Sequence, residues 1–348
     1  MKNLIQQICT GLADGHDLVL ATIVSQSGST PRQAGARMVM FRDGGTCGTI
    51  GGGPVEATAI KEATTCFASG RSQRLSFNLD NTDAAAAGMI CGGRLELFLE
   101  YIGAGDTNGQ VFRELLTAVQ SGRRAALVSR ITDGDASDLR FVVDQHGQAS
   151  RDDIPASLLR AIEEARRSSF ASALIEDQGH SYLFSPFAAT GTVYLLGAGH
   201  VAACTAEAAV RVGFRVVVMD DRAAFANRDR FPQADEIRVL PSFADCLHGL
   251  ATDADAYLVI VTRGHMHDME VLDQALHTKA GYIGMIGSRR KRDAIYAALQ
   301  GRGVSAAQLA RVRCPIGMAI EADTPEEIAV SIVGELILHR ATARRHGI

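Results

Sequence analysis

Short apolar runs alternate with helical stretches throughout the C-terminal half of the chain. Each run is rich in Val, Ile and Leu and is followed by a polar loop or a helix. This alternation is typical of a parallel, doubly wound sheet. The predicted strands are residues 193–196, 215–219, 237–240, 257–261 and 282–286. We therefore predict an α/β fold with a C-terminal Rossmann-like, doubly wound parallel sheet.

A long helix is predicted at the C-terminal end of this pattern. Thr324 is placed to cap the helix, Pro325 stands at its first position, and Glu327 completes a capping box. Apolar residues then recur every four positions from Ile328, as expected for a helix with one buried face.

The N-terminal half begins with strands instead of a regular strand and helix alternation. Residues 17–25 and 36–41 are predicted strands, separated by a polar loop that contains a proline. The segment 185–191 interrupts the pattern and is interpreted as a linker. We predict an α+β domain over residues 1–188 and the Rossmann-like domain over residues 189–348.

Composition and charge exclude several classes of protein. A chain of 348 residues that is 47% hydrophobic can bury a sizeable core, and its net charge of −4 gives no electrostatic footprint for nucleic acid or an anionic membrane. The N-terminus lacks the order of a signal peptide, so we expect a cytoplasmic protein. The seven cysteines are widely spread without a C-x-x-C pair, which indicates neither a disulfide framework nor a zinc site.

A glycine-rich turn follows the first strand of the predicted Rossmann-like domain. Gly197 permits a tight turn, Gly199 lets a pyrophosphate approach the backbone, and Ala202 completes the pattern G-x-G-x-x-A at the start of a helix. Asp220 closes the next strand and is placed to accept hydrogen bonds from a ribose diol. Arg222 is placed to bind a 2′-phosphate instead, so the choice between NAD and NADP stays open. In the alternative interpretation the glycines serve only packing and the crevice is empty.

A second glycine-rich segment lies in the N-terminal half. Gly51–Gly53 follow a short predicted strand and lead into a helix that begins near Pro54 and carries Glu56 in its first turn. Successive glycine N–H groups can surround a phosphate or an oxyanion, and Arg32 and Arg37 could add charge-assisted hydrogen bonds. A purely structural turn explains the glycines equally well.

One cysteine differs from the others in its sequence surroundings. Cys91 stands directly before Gly92 and Gly93, and flanking glycines leave a thiol accessible. The alternative is a small residue at the entry of a strand, because the sequence shows no neighbouring base or cation.

Two segments that follow the fourth and fifth predicted strands fall at the edge where doubly wound sheets bind ligands. His265 and His267 could position a ligand, act as acid and base, or bind a metal, although no third metal ligand is recognisable nearby. Alternatively, one of them only caps the helix that begins near Asp268. Ser288 opens a basic run, 289–292, which is interpreted either as an anion contact or as a solvated helix turn.

Together these motifs resemble the XdhC/CoxI family over nearly the whole chain. The motifs that carry the resemblance are Gly28-Ser-Thr-Pro-Arg32, Gly48-Thr-Ile-Gly-Gly-Gly53 with Glu56, Cys91-Gly-Gly93, Gly197-Ala-Gly-His200, Asp220-Asp-Arg222 with Phe231-Pro232, Thr262-Arg-Gly-His265, Tyr282-Ile-Gly-Met-Ile-Gly-Ser288, and Pro315-Ile-Gly317 with Thr324-Pro-Glu-Glu-Ile-Ala329. So many ordered motifs are hard to reach by chance.

The resemblance implies a chaperone, not an enzyme. Such a protein binds the molybdenum cofactor, a molybdopterin, as cargo, protects it during sulfuration, and inserts it into an apo molybdenum hydroxylase of the xanthine dehydrogenase type. A cysteine desulfurase partner and a homodimer are further expectations. The residues expected to bind the cofactor are Arg32, Gly51, Gly52, Gly53, Glu56, Cys91, Gly92, Gly93, Gly197, Gly199, His200, Asp220, His265 and Ser288.

An NAD(P)-dependent oxidoreductase is the alternative function. In that case NAD(P) or another nucleotide occupies the Rossmann crevice, and His265 or His267 serves as the acid/base group. A hydride-acceptor pocket with a substrate-anchoring arginine would distinguish this alternative, and the sequence does not assign one.

Overall fold

The computed structural model of the chain describes residues 2–28, 30, 32–78, 93–131, 139–168, 172–187 and 191–346. Contacts between residues divide the chain into an N-terminal unit, 1–188, and a C-terminal unit, 189–348. Within those described ranges, no helix is both long enough and apolar enough to cross a membrane.

The N-terminal unit contains two antiparallel sheets. The strands of the first sheet are β1 (Leu18–Gly28), β2 (Arg37–Phe41), β3 (Thr46–Gly48), β4 (Gln73–Asn78) and β5 (Gly93–Ile102), in the order β3-β2-β1-β5-β4. The strands of the second sheet are β6 (Ala125–Ile131), β7 (Arg140–Asp144), β8 (Ala173–Asp177) and β9 (His180–Phe187), in the order β7-β6-β9-β8. The helices are α1 (Lys2–Ala13), α2 (Gly53–Ser69), α3 (Asp106–Gln120) and α4 (Ala156–Ser168).

Strand β1 is buried on both faces, which explains its nearly continuous apolar sequence. Leu18 and Leu20 belong to a core that also contains residues of α1, α3 and the second sheet. Val19 and Ile23 point to the opposite face, into a core shared with α2. Helices therefore cover both faces of the first sheet. One of the two cores beside the first sheet also contains residues of the second sheet.

The C-terminal unit is built on one parallel sheet. Its strands are β10 (Thr192–Leu196), β11 (Arg215–Asp220), β12 (Glu236–Val239), β13 (Ala256–Ile260), β14 (Tyr282–Met285) and β15 (Val312–Arg313), in the order β12-β11-β10-β13-β14-β15. Its helices are α5 (His200–Arg211), α6 (His265–Leu276), α7 (Arg289–Gly301), α8 (Ala306–Leu309) and α9 (Pro325–His346). Each pair of neighbouring strands is parallel.

Helices cover both faces of this sheet. One apolar core joins the sheet to α6 and α7, and a second joins its other face to α5 and α9. The α/β fold class and the doubly wound C-terminal sheet predicted from the sequence are thereby confirmed. Because the chain crosses from β12 to β13 past β10, the strand order reverses between β10 and β13, and ligands bind at such reversals in doubly wound sheets.

The capping box at the start of α9 is also present. The Thr324 hydroxyl accepts from the Glu327 N–H at 3.3 Å, and the Glu327 carboxylate accepts from the Thr324 N–H at 3.2 Å. These reciprocal bonds satisfy two backbone donors that the helix itself leaves unpaired.

Strand β9 corrects the predicted linker. Residues 185–187 belong to β9, where Pro186 lies opposite Ala126 of β6. Among the residues that the structure describes, β8 pairs with β9 only as far as Phe184, so no described strand pairs with that side of β9 at Pro186. Proline lacks an N–H and is tolerated at such a position. In the sequence, Pro186 indicated a break between domains instead.

Candidate functional site

Two of the predicted motifs meet at one end of the first sheet. Strand β1 ends at Gly28, which lies opposite Gly93, the first residue of β5. Arg32 follows the end of β1 and is exposed to solvent. Cys91 and Gly92 immediately precede Gly93 in the sequence but lie outside the described residues.

The glycine turn between β3 and α2 begins at the same end of the sheet. Gly48 lies opposite Met38 of β2, and the Thr49 N–H donates to the Arg37 carbonyl at 3.0 Å. The backbone of Gly51, Gly52 and Gly53 has φ of 126°, 74° and 61°. L-residues with a side chain rarely adopt these angles, so three glycines in succession are required here.

The Glu56 carboxylate occupies this turn. Its Oε2 accepts from the Thr49 hydroxyl at 2.8 Å, from the Gly52 N–H at 2.9 Å and from the Ile50 N–H at 3.3 Å. Burial acts to raise the pKa of Glu56, but the bonds from Thr49 and the backbone outweigh it, so the pKa lies below its ordinary value. Part of the predicted anion nest therefore holds the protein's own anion.

Arg37 does not extend this site. Its side chain is 6% exposed, its guanidinium lies 4.2 Å from the centre of the Phe187 ring, and it donates to the Ser172 hydroxyl at 3.3 Å. Burial lowers the pKa of Arg37 to about 10. Arg37 joins the two sheets of the N-terminal unit, so the idea that it contacts a ligand of the glycine turn is wrong.

The glycine turn of the C-terminal unit is shaped by packing. A Cβ at position 197 would lie 2.3 Å from the Val261 carbonyl oxygen, and the φ of Gly197 is 118°. Gly199 precedes α5, and a Cβ at that position would meet nothing within 4 Å. His200, the first residue of α5, is exposed. Gly197 is thus needed for the approach of two loops, whereas Gly199 faces open space.

Asp220 is fully engaged within the protein. It is 1% exposed, its Oδ2 accepts from the Ala198 N–H at 2.8 Å, and Arg222 donates to both of its oxygens at 2.8 and 2.9 Å. Burial acts to raise the pKa of Asp220, but the bonds from Arg222 and the backbone lower it below its ordinary value. The two groups expected to recognise a ribose diol or a 2′-phosphate therefore satisfy each other.

Helices α6 and α7 form a cavity that brings two predicted residues together. His265 is the first residue of α6, and Ser288 caps α7 by accepting from the Lys291 N–H at 3.2 Å. The cavity has a volume of about 790 Å³. It is lined by His265, Met266, Met269, Ser288, Arg290, Lys291, Ala294, Ile295 and Ala298.

A buried ion pair supports this cavity, and sequence reasoning missed it. Asp268 is 0% exposed, accepts from the Thr262 hydroxyl at 2.6 Å, and forms an ion pair with Lys291. Lys291 also donates to the Ile286 carbonyl at 3.4 Å. The pair joins helices that follow neighbouring strands, β13 and β14. The basic run and the acid after His267 were visible in the sequence, but their contact was not.

His267 lies apart from the cavity lining. Its ring centre is 5.2 Å from that of Phe243, and its Nδ1 is 3.6 Å from a carboxylate oxygen of Glu270. Of the two histidines that the sequence offers as acid or base, His265 alone lines the cavity.

Two family models match the chain. One describes the XdhC Rossmann domain and matches residues 193–336, and the other describes the XdhC and CoxI family and matches residues 12–78. Together they cover more than half of the chain.

Three curated relatives are similar at low identity. A protein of Bacillus subtilis strain 168, named as a probable xanthine dehydrogenase component, is 26% identical, with 98% of both chains covered. The molybdenum cofactor insertion chaperone PaoD of Escherichia coli K12 is 23% identical, with 99% of this chain and 89% of PaoD covered. The protein YqeB of the same organism is 24% identical, and the match spans 42% of its length.

A solved structure shares the fold. A crystal structure described as a xanthine dehydrogenase from Bacillus halodurans superposes with a TM-score of 0.78 at 24% identity. The match covers 97% of this chain and 96% of the other.

Proposed function

Because the chain belongs to the XdhC and CoxI family, we propose that it binds the molybdenum cofactor and delivers it to an apo hydroxylase of the xanthine dehydrogenase type. The observation that carries this proposal is the similarity, over 99% of this chain, to a relative named as a molybdenum cofactor insertion chaperone. A second relative, covered over 98% of its length, is named as a probable component of xanthine dehydrogenase. Both names support a role in the maturation of molybdenum enzymes.

The chemistry of the cargo suits two of the described regions. The cofactor carries a phosphate and an oxo-molybdenum centre, both of which are anionic. The cavity that contains His265 and Ser288 is lined by basic titratable groups, which favour an anion. In the N-terminal unit, Gly93 lies beside Gly28, and we assign Cys91, two residues earlier, to the molybdenum end of the cargo.

The finer steps follow from the family resemblance. The protein holds the cofactor while a cysteine desulfurase supplies its terminal sulfur, and it then releases the cargo to the hydroxylase. It acts as a homodimer in the cytoplasm and binds its cargo stoichiometrically without turnover.

An NAD(P)-dependent oxidoreductase is less well supported by the geometry. The carboxylate expected to bind a ribose, that of Asp220, is saturated by Arg222 and the Ala198 N–H. His267, one of the two acid/base candidates, packs against Phe243.

Cofactor retention tests the proposal directly. The purified full chain is mixed anaerobically with molybdenum cofactor released from a hydroxylase, passed over a gel-filtration column, and assayed for molybdenum and pterin. We expect both to elute with the protein, and the complex to restore activity to an apo xanthine dehydrogenase. Loss of both from the protein fraction would refute the proposal. NAD and NADP are tested in parallel, since tight binding of either would favour the oxidoreductase.

The role of Cys91 is tested by substitution. Cys91→Ala should weaken retention of the cofactor, whereas Cys9→Ala should not, because Cys9 lies on α1 and packs, partly buried, against an apolar core. Equal retention by the two variants would remove Cys91 from the site.

A further inference from the structure

The cavity between α6 and α7 combines basic side chains with an apolar wall. Its titratable lining residues are His265, Arg290 and Lys291, all of them basic, and Ser288 adds a hydroxyl. The wall includes Met266, which is 61% exposed. The remaining wall residues are Met269, Ala294, Ile295 and Ala298. A volume of about 790 Å³ falls in the range of small-molecule sites.

Lys291 and Arg290, two cations that line this cavity, differ in whether a carboxylate neutralises them. Lys291 is neutralised by the buried Asp268. Within the described parts of the chain, Arg290 forms no ion pair with a carboxylate, and it is exposed. The N-termini of α6 and α7, helices of 12 and 13 residues, add to the positive potential at the same place. The cavity therefore carries a positive charge that the protein leaves uncompensated.

Two arginines near the Gly197 turn are already neutralised by carboxylates. Arg222 is paired with Asp220, and Arg263 is paired with Asp221 at 2.7 Å. The Ala198 N–H already donates to Asp220. Arg230 also lies at the turn, where it donates to the Ala198 carbonyl at 3.5 Å, and within the described residues it forms no ion pair with a carboxylate, so the turn keeps one cation.

We propose that the α6–α7 cavity binds the phosphate of a phosphate ester, with Arg290 as its main charged contact. A flat heterocycle attached to the phosphate would pack against Met266 and Met269, whose polarisable thioethers suit a ring face. Two sources supply such an ester. For the pterin cargo the inference rests on the proposed function, and for a nucleoside monophosphate it is independent of that function.

Calorimetry on the full chain tests the site with three probes. CMP carries both a ring and a phosphate, cytidine carries the ring alone, and inorganic phosphate carries the charge alone. We expect CMP to bind more tightly than either of the other two. Arg290→Gln should weaken CMP binding roughly tenfold, the effect of one charge-assisted hydrogen bond. Arg302→Gln is the matched control, because Arg302 is exposed at the opposite end of α7.

The outcomes separate this inference from the proposed function. If molybdopterin is retained and Arg290→Gln lowers its retention while CMP fails to bind, the pterin is the ligand. If CMP binding depends on Arg290 and molybdopterin is not retained, the site stands and the proposed function fails. If the Arg290 and Arg302 variants weaken every probe and molybdopterin equally, or if neither CMP nor molybdopterin binds, the phosphate site is refuted.

Discussion

Glu100 and Arg140 form a buried ion pair in the N-terminal unit, and each side chain is 3% exposed. Arg140 Nε donates to Glu100 Oε1 at 3.0 Å, a second guanidinium nitrogen donates to the same oxygen at 2.5 Å, and a third contacts Asn108. The pair connects β5 of the first sheet with β7 of the second. Removing one charge would leave the other buried without compensation.

The expected cost follows from this burial. Glu100→Met or Arg140→Met should each lower the free energy of unfolding by about 3–5 kcal/mol, the range for breaking a buried ion pair from one side. For a unit of this size that corresponds to a drop in Tm of roughly 6–20 °C. The double variant Glu100→Met/Arg140→Met should recover most of the loss, because no uncompensated charge remains.

Urea unfolding followed by circular dichroism measures these free energies, and hydrogen exchange of peptides from β5 and β7 assigns the change to the N-terminal unit. Arg167→Gln serves as the control: Arg167 pairs with Glu163 on the surface of α4, where an ion pair contributes about 0.5 kcal/mol or less. A loss of less than about 1 kcal/mol in a single variant, or a loss in the double variant as large as that of the two singles combined, would show that neither charge needs the other.

Three further predictions concern single positions. Gly197→Ala should lower Tm because its Cβ would lie 2.3 Å from the Val261 carbonyl oxygen, whereas Gly199→Ala should not, since its Cβ would face open space. The pKa of Glu56 is lower in the folded protein than in the unfolded chain, where it is about 4.3, so ionised Glu56 stabilises the fold above that pH. This stabilisation is lost as the pH falls further. Glu56→Gln should therefore make the free energy of unfolding less dependent on pH between roughly pH 5 and 3. Burial, with a smaller effect of a nearby arginine, lowers the pKa of His339. As the pH falls, the unfolded chain therefore binds a proton at this position before the folded protein does, and the free energy of unfolding decreases below about pH 6.5. His339→Gln should remove this pH dependence, measured by urea titrations at several pH values.

Local signals made much of the fold predictable. The capping residues of α9 lie within four positions of one another, and the apolar runs of the parallel sheet are buried on both faces, so both features are contained in short windows of sequence. Strand β4 was not predicted. It lies at the edge of its sheet, and its half-buried residues alternate with exposed ones, among them Arg74, Ser76 and Asn78. Such a strand owes its place to pairing with β5, which a short window does not contain.

The candidate site depended more on contacts between distant residues. Asp268 and Lys291 are separated by 23 positions and meet only because α6 and α7 follow neighbouring strands. Asp220 and Arg222 are close in sequence, but the sequence alone is compatible with either of them binding a ligand. Burial of Asp220 decides that they bind each other.

The pairing of Asp220 with Arg222 has a use in genome surveys. The pattern G-x-G-x-x-A is commonly scanned to collect dehydrogenases, and this chain would pass that scan although its first glycine is required by the neighbouring Val261 carbonyl. A salt bridge in the structure between the acidic residue at the end of the second strand and an arginine two positions later can therefore serve as a sorting criterion. Proteins that have both the glycine pattern and this salt bridge would be set aside for cofactor-retention assays before any are screened for hydride transfer.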